Sequence, residues 1–216
     1  MLDLIIGCIP LLIALIVSLI IYNRPEQQWF RLFPLFLLST FIFQTGGYLY
    51  SLITRQSNHF IFNCYLLVEY LFYLTLFYNC VNRKLFKKII GLLGLSFLLL
   101  YFYHIVILNQ FFFYDTISKN YGQLLTLICC CLYLAELLMT DELLNYFKIP
   151  MFWITTGIMV ASVGHFMYIS FFNYILSHHL DPDGYLFGVI STTLSVIEYG
   201  FFTIGFLCKK RCLENS

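Results

Sequence analysis

The residues in this chain best suited to chemistry are three glutamates and a histidine standing inside long apolar runs. Glu69 is the plainest case, in the middle of Asn63-Cys64-Tyr65-Leu66-Leu67-Val68-Glu69-Tyr70-Leu71-Phe72-Tyr73. On a helix, Tyr65 and Tyr73 lie four residues to either side of it on one stripe. A phenol hydroxyl is therefore expected to reach the carboxylate from above and from below. Glu136, His165 and Glu198 stand in later apolar runs with polar companions at helical spacing: Tyr133 for Glu136, Tyr168 for His165, and Ser191 and Ser195 for Glu198. An earlier run has Thr40, Gln44 and Tyr48 in the same relation. Carboxylate, imidazole and phenol together can transfer protons or recognise a polar ligand. A lone Gln or Ser at such a position is ordinary glue between membrane helices. An ionisable group at the bilayer centre costs about 3 kcal/mol on insertion scales, more than a hydrogen bond returns, so the glutamates and the histidine mark a candidate site.

Composition defines the elements that must position these groups. Of 216 residues, 61% are hydrophobic, 20% aromatic and only 11% charged, against about 25% charged in an average soluble domain. The expected fold class is therefore all-α: a polytopic membrane protein in one domain spanning the chain. Crossing roughly 30 Å of hydrocarbon takes about 20 apolar residues. Seven segments meet that length, at about residues 4–22, 32–53, 60–81, 89–108, 121–139, 152–176 and 185–207. The first run has no basic leader and no small-residue cleavage site after it, and is expected to stay as a membrane helix. An aromatic linker, Phe111-Phe112-Phe113-Tyr114-Asp115, suits the membrane boundary.

Basic residues set the expected orientation. In a seven-pass layout Arg24, Arg31, Arg83, Lys84, Lys87, Lys88, Lys148, Lys209, Lys210 and Arg211 fall on one side, and only Arg55 and Lys119 on the other. Positive charge collects on the cytoplasmic side, so the N-terminus is expected outside and the C-terminus in the cytoplasm. Counting 1.5 Å per residue from the outer boundary brings Gln44, Glu69 and His165 to one level near the midplane. Glu198 comes slightly deeper, and Glu136 deeper still. Tyr65, Glu69 and Tyr73 with Gln44, Glu136, His165 and Glu198 are thus the expected ligand-binding or proton-relay residues. Gly157, Ala161, Ser162 and Gly164 are expected to let the sixth helix pack closely on a neighbour.

Several classes are excluded or disfavoured. A net charge of +1 and the lack of a basic-aromatic patch argue against nucleic acid. The eight cysteines include no C-x-x-C pair, and most lie in apolar segments, so neither zinc nor redox chemistry is signalled. His178-His179-x-Asp181-x-Asp183 reads as a solvated turn, and no metal or cofactor is expected. The seventh segment has no lysine before Lys209 to hold retinal. His104 lies nearer the outer face than His165, at the wrong depth to share a haem with it.

The pattern Asn63-x-Tyr65-x-x-x-Glu69, with Phe152-Trp153-Ile154 opening the sixth segment and Gly157 after it, resembles a loose group of small uncharacterised bacterial seven-helix membrane proteins. Some of that group are related to the membrane input modules of sensor kinases. The resemblance implies an integral protein of the bacterial inner (plasma) membrane, with the lipid bilayer as its surroundings and a separate cytoplasmic or membrane signalling partner. The expected function is a seven-helix sensor or ligand-binding module. Two alternatives stay open: a small transporter or proton-coupled carrier with a glutamate/histidine relay, and an intramembrane lipid-modifying enzyme. The basic stretch at residues 83–88 is the expected contact for a partner. The oligomeric state is open.

Overall fold

The computed structural model describes residues 2–22, 28–108, 111–139, 146–179, 181 and 184–214. Among the described residues the chain is all-α, with seven α-helices: α1 Leu2–Tyr22, α2 Leu32–Thr54, α3 His59–Cys80, α4 Lys84–Phe102, α5 Thr116–Leu138, α6 Pro150–Ser177 and α7 Tyr185–Glu214. Six stretches within α2 to α7 are long and apolar enough to cross a membrane. In α1 the corresponding described stretch, Gly7–Ile21, is shorter.

Helix ends depart from the apolar count where a local interaction extends the helix. α5 begins at Thr116 because Asp115 caps it, its carboxylate accepting the Ser118 N–H at 3.0 Å. α4 begins at Lys84, before its apolar run, and leaves through a π-helical turn, Tyr103–Ile107, beside the aromatic linker. α2 ends on Arg55 in the left-handed conformation (φ 55°), with its N–H on the Ser51 carbonyl.

The helices form a ring. α1 packs on α2 and α7, α2 on α3, α3 on α5, α5 on α6, and α6 on α7; α4 lies outside, against α3 and α5. Its outer face exposes Leu85, Leu92, Leu95 and Leu99, as a lipid-facing helix would. Where α6 meets α7, a Cβ on Gly157 would stand 2.6 Å from the Phe201 Cβ and 3.1 Å from the Glu198 carbonyl oxygen, so only glycine permits this approach.

The links α2–α3, α4–α5 and α6–α7 lie at one end of the bundle, termed upper. The links α3–α4 and α5–α6 lie at the other, termed lower. The lower half is filled by interlocked rings. Phe33, wholly buried, meets Phe72, Phe202 and Phe206 edge-on at 5.1, 5.6 and 5.2 Å between centroids, and Phe36 stacks on Phe72 at 3.9 Å. The described basic side chains Arg31, Arg83, Lys84, Lys87, Lys88 and Lys148 belong to lower-end segments, and Arg55 and Lys119 to upper-end ones. Arg24 lies outside the described residues, as do the side chains of Lys209, Lys210 and Arg211.

Candidate ligand-binding cavity

In the upper half the ring does not close on itself. A cavity of about 700 Å³ lies among α2, α3, α5, α6 and α7, touching α1 at Gly7. Gly184 and Glu198 both line it, so it runs about 21 Å along α7. Its lining includes Asn58, His59, Tyr114 and Asp181 at the upper links, and Gln44, Glu69, His165, Ser195 and Glu198 farther along the helices. That size suits an organic ligand of tens of atoms.

Glu69 is presented to this space by the middle of α3. Among the described residues no group donates a hydrogen bond to it. This corrects the expectation that Tyr65 and Tyr73 would clasp it. The Tyr65 hydroxyl lies 3.0 Å from the Thr40 hydroxyl on α2, and the Tyr73 hydroxyl donates to Glu198 Oε1 at 2.5 Å on α7. Spacing of four residues aligns the three Cβ atoms, but a phenol carries its hydroxyl past the adjoining turn and onto the facing helix. The two tyrosines therefore tie helices together, and the glutamate between them is left facing the cavity.

Glu198 closes the cavity floor through Tyr73, above the lower aromatic layer. His165 Nδ1 lies 3.0 Å from the Ala161 carbonyl oxygen. A carbonyl only accepts, so Nδ1 carries the proton and, in the neutral ring, Nε2 is the free acceptor. Gln44 reaches the Tyr199 hydroxyl across the α2–α7 side.

Two expected site residues do not line the cavity: Tyr73, which bonds to Glu198 at its floor, and Glu136. Glu136 lies at the lower end, where its two carboxylate oxygens accept the N–H groups of Asn82 and Arg83 at 2.7 and 3.4 Å. Those donors belong to the N-terminus of α4, which a carboxylate satisfies well. Equal helical spacing had grouped Glu136 with the others, but the α3–α4 link brings unpaired donors to it, and the cavity does not extend that far.

Lys119 is the principal lining residue that spacing arguments missed. Counted from the apolar core of α5 it falls outside the helix, whereas the Asp115 cap draws it into the first turn, four residues before Gln123 on one face. Its Nζ donates to the Tyr114 hydroxyl at 2.9 Å and stands over the Tyr114 and Phe187 rings at 5.4 and 6.0 Å. The Tyr70 hydroxyl donates to the Lys119 carbonyl at 3.0 Å. The Tyr70 ring lies so close over Gly122 that a Cβ there would collide with it. An Asp four residues before a Lys, just ahead of an apolar run, is the sequence signal that would have drawn Lys119 into the helix.

The Asn63-x-Tyr65-x-x-x-Glu69 pattern divides into separate tasks. Asn63, almost wholly buried, donates through Nδ2 to the carbonyls of Phe111 and Phe113 at 2.9 and 2.8 Å, latching the aromatic linker onto α3. Tyr65 ties α3 to α2, and Glu69 faces the cavity. In the α6–α7 turn, Asp181 accepts the N–H groups of Leu186 and Phe187, each at 3.0 Å. Desolvation is the largest single influence and would lift the Asp181 carboxyl, but the backbone N–H groups of Phe187, Leu186 and Tyr185 together outweigh it and hold the group below the usual aspartate value. His178 stacks on Tyr174 at 4.0 Å, and Asp183 lies outside the described residues. Among the described residues no three of His, Cys, Asp and Glu gather to hold a metal ion.

Fold and cavity together define a seven-helix bundle, six of its helices with membrane-length apolar stretches, around a cavity lined by polar and apolar side chains. No family model, curated protein or solved structure matches the chain.

Proposed function

We propose that the chain is a seven-helix integral membrane sensor or ligand-binding module, with its N-terminus outside and its cavity open to the outside. The observation that carries this reading is the cavity itself: a chamber with Glu69, Gln44, His165 and Glu198 in its lining, set in the half of the bundle that is poor in basic residues. The basic lower end then faces the cytoplasm, in keeping with the inner membrane of a bacterium. The Tyr73–Glu198 hydrogen bond joins α3 to α7 at the floor, and α3 leads directly into the basic stretch at residues 83–88. A ligand that draws Glu198 or Glu69 toward itself alters the α3–α7 contact, and the lower end presents the change to a partner. The same groups would serve a proton-coupled carrier only with a route past the floor. Glu136, the inner member of such a relay, caps α4 instead.

The test uses Ser195→Cys, in the cavity lining. In right-side-out vesicles a membrane-impermeant thiol reagent is expected to label this variant above the background of the native cysteines. Labelling confined to inverted vesicles would overturn the outward cavity. Hydrogen exchange at residues 82–87 is expected to change when the reagent fills the cavity. An unaltered lower end would remove the sensor reading and leave a binding module without output.

A further inference from the structure

Resting on the reading of an upper, ligand-binding cavity, we infer that its ligand is a small zwitterion, whose ammonium binds Glu69 and whose oxyanion binds Lys119. Among the described residues three carboxylates line the cavity, and two of them have donors already. Asp181 accepts the first backbone N–H groups of α7, and Glu198 accepts from Tyr73. Glu69 accepts from no described group. A carboxylate is acceptor-only, so the missing component is a donor, and an ammonium supplies three.

Lys119 is the matching half. It is the one Lys or Arg among the lining residues. Of its three N–H donors one goes to the Tyr114 hydroxyl, and no described carboxylate lies within 4.0 Å of it. Lys119 and Glu69 line the same cavity without closing into an ion pair. A desolvated charge left without a partner is costly. A simple amine would complete Glu69 and leave Lys119 unmatched, and a simple anion would do the reverse. A zwitterion completes both and adds no net charge to the membrane interior.

The separation of the two charges is held by packing. Tyr70, next to Glu69 on α3, fastens the Lys119 backbone through its hydroxyl, and Gly122 admits the ring that does so. The site is therefore built before the ligand arrives, which lowers the entropy cost of binding. Phe172 and Phe187, also in the lining, offer an apolar wall for the remainder of the ligand. Free amino acids or short peptides meet this description, and so does the headgroup of an aminophospholipid.

The experiment measures thermal stabilisation and affinity of the full chain in phosphatidylglycerol nanodiscs. Free proteinogenic amino acids and dipeptides are offered singly, and phosphatidylethanolamine is added to the discs in a separate arm. Expected is stabilisation by at least one free zwitterion, lost for both its N-acetyl and its methyl ester derivative. If phosphatidylethanolamine alone stabilises, the same ammonium-and-oxyanion chemistry is assigned to a lipid headgroup. In either arm Glu69→Gln and Lys119→Met are each expected to weaken binding roughly thirty-fold or more. Stabilisation by neither source, or equal binding of the N-acetyl derivative to the wild-type chain, overturns the inference without reliance on any variant. If Ser195→Cys is labelled from outside while no zwitterion binds, the zwitterion inference falls and the cavity reading stands. If it is not reached from outside, the cavity reading itself fails.

Discussion

Phe33 and Glu69 belong to neighbouring helices of similar composition, yet they stand in opposite kinds of surroundings. In the lower half, Phe33 meets three other rings edge-on and no water-sized space remains around it. In the upper half, Glu69 faces an open chamber with no donor against it. Both halves are built from α2, α3, α6 and α7. What differs is the type of residue turned inward: interlocking aromatic and aliphatic side chains below, Gln44, Glu69, His165, Ser195 and Glu198 above. Rings fill a helix interface to crystal-like density, whereas short polar side chains leave volume that something polar must occupy. One set of helices can therefore be a rigid plug at one end and a receptacle at the other, divided at the Tyr73–Glu198 hydrogen bond.

That contrast can be broken by substitution. Phe33→Ala removes the ring at the centre of the plug and is expected to destabilise the fold by about 3–5 kcal/mol, read by reversible unfolding in bicelles. A loss no larger than that of a lipid-facing Leu95→Ala would mean the lower half is not the stabilising core. Tyr73→Phe, at the boundary, deprives Glu198 of its donor and is expected to cost about 1–3 kcal/mol. Pairing it with Glu198→Gln should show a coupling of similar sign in a double-mutant cycle, and strict additivity would deny that the hydrogen bond joins α3 to α7.

Glu69→Gln sharpens the comparison from the other side. Because Glu69 bonds to no described group, the substitution is expected to cost the unliganded protein no stability. A loss as large as that of Tyr73→Phe would show that Glu69 holds the bundle together. The smallest loss belongs to Asp181, in the α6–α7 turn. Its folded pKa lies below the unfolded value, so its contribution is complete above the ordinary aspartate pKa and disappears as pH falls through the lowered one. Protection of the amides in the first turn of α7, relative to their intrinsic exchange rates, is expected to fall as pH drops below the ordinary aspartate pKa, and Asp181→Asn should abolish that dependence. Exchange that responds equally in both forms would remove the cap.

Much of the architecture is legible in the order of residues, and the reason is the bilayer's thickness. Runs of apolar residues long enough to cross it stand out wherever they occur, so the helices α2 to α7 can be counted without coordinates. Their ends are less legible because they depend on single contacts. Asp115 starts α5 several residues before its apolar run, and in doing so turns Lys119 from a linker charge into a cavity residue. Depth is also legible, since an α-helix rises by a constant 1.5 Å per residue. A count along the chain sets Gln44, Glu69 and His165 at one level, and all three line the same cavity, each from a different helix.

Rotation and reach are another matter. Spacing puts Tyr65, Glu69 and Tyr73 on one stripe and cannot say that both phenols extend to other helices. Nor can it separate Glu198, at the cavity floor, from Glu136, which ends on the backbone of α4. By itself, then, the sequence determines an all-α chain with membrane-length apolar helices, an uneven spread of basic residues among its links and a few ionisable groups within the apolar runs. Periodicity and length suffice for that. Only the tertiary structure decides which of those groups share a cavity and which are structural ties, because helix rotation and side-chain reach are set by the surfaces of neighbouring helices.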